Sequence, residues 1–175
     1  VIIFINMQTL LTSEFNITDV ESFRSLLSTT GGIVAGSAVL AAKTGTFTPN
    51  DLDIWIPYND NVFDVYTNAL LKLGYKIVPT SFTVRDWEQY ANNNGKVIQV
   101  ICTLISPIPI IDTFDFDICQ FYWNAETDTI SGPTGLEGPD GKIHSFRYIG
   151  KSSKMDEKTK KRKEKYETRG FVFAQ

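Results

Sequence analysis

Residues 51–57, Asp-Leu-Asp-Ile-Trp-Ile-Pro, alternate without interruption. Leu52, Ile54 and Ile56 are apolar, and Asp51, Asp53 and Trp55 stand between them. A period of two predicts a β-strand over Asp51 to Pro57 with one buried face. A slip of one residue would carry both aspartates into the core, so the register is strongly set. The chain must build a sheet around this strand and leave its carboxylates on the other side. Two carboxylates at i and i+2 on one face repel, and a cation relieves that cost. Hard oxygen donors of this kind suit Mg²⁺ or Mn²⁺.

The residues before the strand add a second element. Gly32 to Ser37 reads as a short buried strand running into a turn, and Ala38 to Lys43 as a short helix stopped near Gly45. Thr46 to Asn50 is a loop, in which Asn50 can orient the chain ahead of Asp51. A helix that starts at Gly36-Ser37 presents unpaired N–H groups and a partial positive charge, a cradle for phosphates. Gly36 lets the backbone come close, and Ser37 offers a hydroxyl and a cap. Lys43 and Arg85 are candidates to reach phosphates, and Trp55 to stack on a base.

The rest of the chain predicts a mixed pattern. A helix runs from Thr18 to Ser28, capped by Thr18 with Glu21 completing a capping box. A second spans Asn61 to Leu73 and closes at Gly74. Strands are expected at Tyr75 to Val78, Lys96 to Leu104 and Phe114 to Trp123, with a helical turn at Val84 to Tyr90. A Gly/Pro-rich loop covers Ser131 to Gly141. A charged helix spans Asp156 to Thr168, and a last strand Arg169 to Ala174. The fold class is α/β (α+β), a small mixed sheet flanked by helices. Residues 1–150 form the main domain, and residues 151–175 pack on it or extend it.

Composition excludes several chemistries. His144 is the single histidine, so a His-based metal site or a serine triad finds no support and chemistry must run on carboxylates. Cys102 and Cys119 are too few for a disulfide framework or zinc ribbon and read as buried reduced thiols, which points to a reducing, cytoplasmic setting. No apolar run approaches the roughly 18–20 residues that span a bilayer, so no membrane partner is expected. The opening Val-Ile-Ile-Phe-Ile-Asn lacks the basic leader of a signal peptide. No Walker-type loop occurs. Residues 151–169 hold nine Lys/Arg and four acids; with −3 for the whole chain, the remainder carries −8. Contact with nucleic acid is therefore expected only through Lys151–Arg169.

Ala35-Gly36-Ser37 followed by Asp51-Leu52-Asp53-Ile54 resembles the nucleotidyltransferase superfamily, which includes DNA polymerase beta, CCA-adding enzymes and poly(A) polymerases. The resemblance implies a nucleotidyltransferase-like fold, Asp51 and Asp53 as catalytic metal ligands, Gly36 and Ser37 on the β,γ-phosphates, and a nucleoside triphosphate as substrate. The family's third carboxylate sits on a neighbouring strand, where this chain offers Gln99. The next segment offers Asp115 and Asp117, and Asp115 also matches the Asp of the Arg-Asp-Phe-Thr segment of CCA-adding enzymes. One of the two supplies the third metal ligand or contacts substrate. Phe114 to Cys119 and Tyr166 to Phe171 resemble uncharacterised proteins of large DNA viruses and fungi, which implies a virus-encoded chain. The alternative is an inactive relative that binds nucleotide or serves as an interaction or structural protein.

Overall fold

The computed structural model describes residues 6–79 and 87–175. Arg85 and the opening residues 1–5 lie outside them. The helices are α1 (Met7–Phe15), α2 (Val20–Thr30), α3 (Ser37–Thr44), α4 (Val62–Lys72), α5 (Pro107–Ile111) and α6 (Glu157–Thr168). The strands are β1 (Ile33–Ala35), β2 (Asp51–Pro57), β3 (Lys76–Ile77), β4 (Trp87–Ala91), β5 (Val97–Thr103), β6 (Tyr122–Asn124), β7 (Thr129–Ser131), β8 (Ser145–Phe146) and β9 (Val172–Phe173).

Strand β2 is where its alternation puts it, central in a seven-stranded sheet of order β3-β4-β5-β2-β1-β6-β7. It runs parallel to β5 and antiparallel to β1. Leu52, Ile54 and Ile56 are fully buried in the main core with α1, α3 and α4. On that side α3 packs on β1 and β2, and α1 packs on α3. The opposite face carries Asp51, Asp53 and Trp55. There α5 lays Ile111 against Ile33 and Ala35, with Trp55, Phe114 and Tyr122 around them. The sheet is mixed and flanked by helices, as its pattern predicts.

Helix α6 is almost wholly charged, and Tyr166 is its one buried residue. Aromatic packing holds it down. The Tyr166 ring lies 5.9 Å from Phe146 and 6.4 Å from Phe171, and Phe146 lies 5.3 Å from Phe173. Strand β9 pairs in parallel with β8 in a separate two-stranded sheet.

Several elements differ from the sequence pattern. Helix α2 starts at Val20, because Asp19 rather than Thr18 caps it, its carboxylate accepting the Ser22 N–H at 3.0 Å. Trp87–Ala91 is a strand rather than part of a helical turn, since antiparallel pairing with β5 decides its conformation. Phe114 to Trp123 is not one strand. It contains a 3₁₀ turn at Asp117–Cys119, and only Tyr122–Asn124 joins the sheet. The cause is local: Asp117 accepts the N–H of Ile118 at 2.8 Å and that of Arg147 at 3.0 Å, bending the backbone out of a ladder. The pattern also missed α1, α5 and the β6–β7 hairpin, whose turn places Asp128 in the left-handed region.

Candidate active site

Strand β2 aims Asp51 and Asp53 away from the core, beside the start of α3. Gly36 caps that helix with φ +91°, a conformation natural only to glycine. A Cβ there would stand 3.3 Å from the Asp53 Oδ2, so the turn and the carboxylate are in close approach. Ser37 is the first helical residue and is buried; contrary to expectation its side chain does not cap the helix. Val39 and Leu40 donate to the Gly36 carbonyl, which leaves the N–H groups of Ser37 and Ala38 without an intrahelical acceptor.

These groups open into a cavity of about 380 Å³. Its walls include Gly36, Ser37, Asp51, Asp53, Trp55, Phe114, Asp115 and Cys119, and α6 closes it with Arg162, Lys165 and Tyr166. The Trp55 and Phe114 rings are 5.2 Å apart and form an aromatic side. The Cys119 thiol donates to the Tyr166 hydroxyl at 3.3 Å, and burial pushes that thiol up to about 12.

The charges are unevenly satisfied. The Asp53 Oδ1 is buried with no hydrogen-bond partner. Desolvation first, and Asp51 beside it second, push the Asp53 carboxyl up to about 7, against the pull of Lys165 and Arg162. Asp115 Oδ2 accepts from Arg162 Nη1 in a short ion pair and from the Thr159 hydroxyl at 3.3 Å. Asp115 Oδ1 is buried and unpartnered. Lys165 is exposed at the cavity rim. Partial desolvation and then Arg169 draw its ammonium down, while Asp51 and Asp53 hold it up. Arg169 stacks on Phe47 at 4.4 Å.

The structure thus brings together Gly36, Ser37, Asp51, Asp53, Trp55 and Asp115. It leaves out Lys43 and Asp117. Lys43 lies at the far end of α3, 3.8 Å from Glu137 and over the Phe121 ring, beside a smaller cavity that His144 also lines. The Asp117 Oδ1 is engaged by backbone N–H groups. Gln99 stands opposite Asp53 in register and donates to Gln89 at 3.4 Å. The sequence pattern did not place Arg162 and Lys165 at this site: it gave their helix as charged and as the expected nucleic-acid contact. Their spacing with Arg169, at i, i+3 and i+7 around Tyr166, marks one helix face and was the available signal.

Among the described residues, no group of three or more His, Cys, Asp or Glu is placed to hold a metal ion. The donor chemistry nevertheless fits a divalent cation at Asp51 and Asp53. Two hard carboxylates share one face, and one buried oxygen of Asp53 lacks any partner. No helix of the described residues is long and apolar enough to cross a membrane.

A family model described as Gabija anti-defense 2 family protein matches residues 3–137. No curated protein matches the sequence. Among solved structures, the CCA-adding enzyme of Thermotoga maritima complexed with tRNA is similar at 20% identity and a TM-score of 0.65, covering 99% of this chain and 43% of that one. A CCA-adding enzyme in complex with CTP is similar at 19% identity and a TM-score of 0.57, over 82% of this chain and 37% of that one. One in complex with ATP gives 18% identity and 0.53, over 75% and 34%. The chain spans less than half the length of these enzymes. At such identities the likeness is one of fold, the mixed α/β fold of nucleotidyltransferases.

Proposed function

This chain belongs to the Gabija anti-defense 2 family, and we propose that it is a metal-dependent nucleotidyltransferase that moves a nucleoside monophosphate from a nucleoside triphosphate to an acceptor. One observation carries the proposal: Asp51 and Asp53 face the Gly36–Ser37 turn within one cavity. The CTP and ATP named for the structural relatives support a triphosphate as the donor.

The residues divide the work. Asp51 and Asp53 hold Mg²⁺ or Mn²⁺, with Asp115 as third ligand. The bound cation supplies charge neutralisation at the phosphates and a more acidic acceptor hydroxyl. The start of α3 receives phosphate oxygens on its free N–H groups. Lys165 and Arg162 offset the charge of the triphosphate from the other wall. Trp55 and Phe114 give the base or the acceptor a flat apolar side. The acceptor hydroxyl gives its proton to water, its oxygen bonds to the α-phosphorus in line, and the bond to pyrophosphate breaks. Residues 151–175 complete the site of the main domain. Exposed Lys151, Lys154, Lys158 and Lys161 leave a basic outer face for a nucleic-acid acceptor. The family's anti-defence description fits action in the cytoplasm, from a virus-encoded gene.

A second reading is an inactive relative that binds nucleotide without turning it over. Gln99 opposite Asp53 favours it, as does the lack of a third acid close to the aspartate pair among the described residues. One experiment separates the two. The protein is incubated with each labelled nucleoside triphosphate, Mg²⁺ or Mn²⁺ and mixed acceptors, beside an Asp51→Asn/Asp53→Asn control. Transfer by the wild type alone supports the enzyme. Equal signals from both proteins overturn it.

A further inference from the structure

The cavity has an acidic wall from β2 and a basic wall from α6, and Asp115 stands between them. Its Oδ2 is held twice from α6, by Arg162 and by Thr159, one turn apart on one helix face. Its Oδ1 is buried and unpartnered, so it has an unused acceptor. The third acid of the cavity is thus tied to the helix rather than gathered with Asp51 and Asp53. Lys165, next along the same face, has no ion pair among the described residues and is drawn electrostatically to Asp51 and Asp53. Two cations of one helix therefore answer the acids of the cavity.

A divalent cation is attracted to the same acids and repelled by the same helix. A cation that ligates Asp115 either displaces the hydrogen bonds on Oδ2, one of them charge-assisted, or takes Oδ1 and sets its charge against the Arg162 guanidinium; either way it weakens the Arg162 pair. The helix can yield, because Tyr166 is its one buried residue and the rest of it is charged or polar.

We propose that Arg162 and a divalent cation compete for Asp115, so that α6 latches the third ligand until metal loading releases it. The latch rests on the proposed function, since it presumes a cation at Asp51 and Asp53. It regulates that site: metal occupancy and the position of α6 become one equilibrium.

The test is a titration of the full chain with Mn²⁺ alone, read as free Mn²⁺ by electron paramagnetic resonance, without nucleotide or turnover. Arg162→Gln should bind Mn²⁺ about tenfold tighter than wild type. The gain should vanish in Asp115→Asn/Arg162→Gln, because the competition is for that carboxylate. If Arg162→Gln fails to fold, Thr159→Val removes the other hydrogen bond and should show a smaller gain with the same dependence on Asp115. Unchanged or weaker binding by Arg162→Gln, with Asp53→Asn still abolishing it, overturns the latch and leaves the proposed function standing. No Mn²⁺ binding by wild type and Arg162→Gln alike overturns both.

Discussion

Gly36 and Asp53 meet across the mouth of α3, where a Cβ on the glycine would stand 3.3 Å from the aspartate's Oδ2. Gly74 shares the left-handed backbone, at φ +90°, but a Cβ there meets nothing within 4 Å. Ala should cost about 1–3 kcal/mol of stability from the backbone alone at Gly36, whose ψ of −150° is open only to glycine, and about 1–2 kcal/mol at Gly74. Only Gly36→Ala should also weaken binding of Mn²⁺ with a nucleoside triphosphate. Urea midpoints and a binding titration on both variants check this, and equal binding by the two would count against the close approach.

The pH dependence of metal-free stability should carry the mark of Asp53. In the unfolded chain its carboxyl ionises near 3.8, and in the fold near 7. Between those values the folded state binds the extra proton, so stability falls as pH rises, and the full penalty is present above 7. Asp53→Asn removes it. The variant should match wild type below pH 4 and exceed it at pH 8 by on the order of 4 kcal/mol. Chemical denaturation at both values, in the presence of a chelator, measures the difference. A variant no more stable than wild type at pH 8 contradicts it.

Asp117 and Asp53 should fail in different ways. Asp117→Ala strands the backbone N–H groups of Ile118 and Arg147 that its carboxylate accepts. That should cost about 2–4 kcal/mol. The folded fraction should keep its Mn²⁺ affinity. Asp53→Asn should instead lower nucleotidyl transfer by at least about a hundredfold. Melting curves with parallel label-transfer rates separate these outcomes.

Lys165→Met should raise the Kd for a nucleoside triphosphate about tenfold. The residue is solvent-exposed, so the melting temperature should barely move. Calorimetry with a non-hydrolysable triphosphate reads the effect. An unchanged Kd would remove Lys165 from the phosphate wall.

What the sequence disclosed was local. Asp51 to Pro57 announces its strand because alternation needs no partner to be seen, and Gly36-Ser37 announces a turn. Their meeting also follows, since β1, α3 and β2 are consecutive. Arg162 and Lys165 come from a helix more than a hundred residues away in the chain, and no short-range pattern ties a charged helix to a distant pair of aspartates. Asp115 and Asp117 looked like one face of a strand because side-chain spacing is silent about the backbone N–H groups that the Asp117 carboxylate accepts. The short helix at Pro107–Ile111 hides behind its two prolines. The cap at Asn6 and the helical spacing of Met7, Leu10, Leu11 and Phe15 were readable, and they mark α1.

The basic wall has a consequence in time. Asp51 and Asp53 leave the ribosome about a hundred residues before Arg162 and Lys165 do. Over that interval the two aspartates have no charge from α6 facing them. Until α6 follows, a divalent cation meets no rival from that helix for the two aspartates. The order of synthesis thus offers these acids to the ion before the helix, and the two then share one equilibrium.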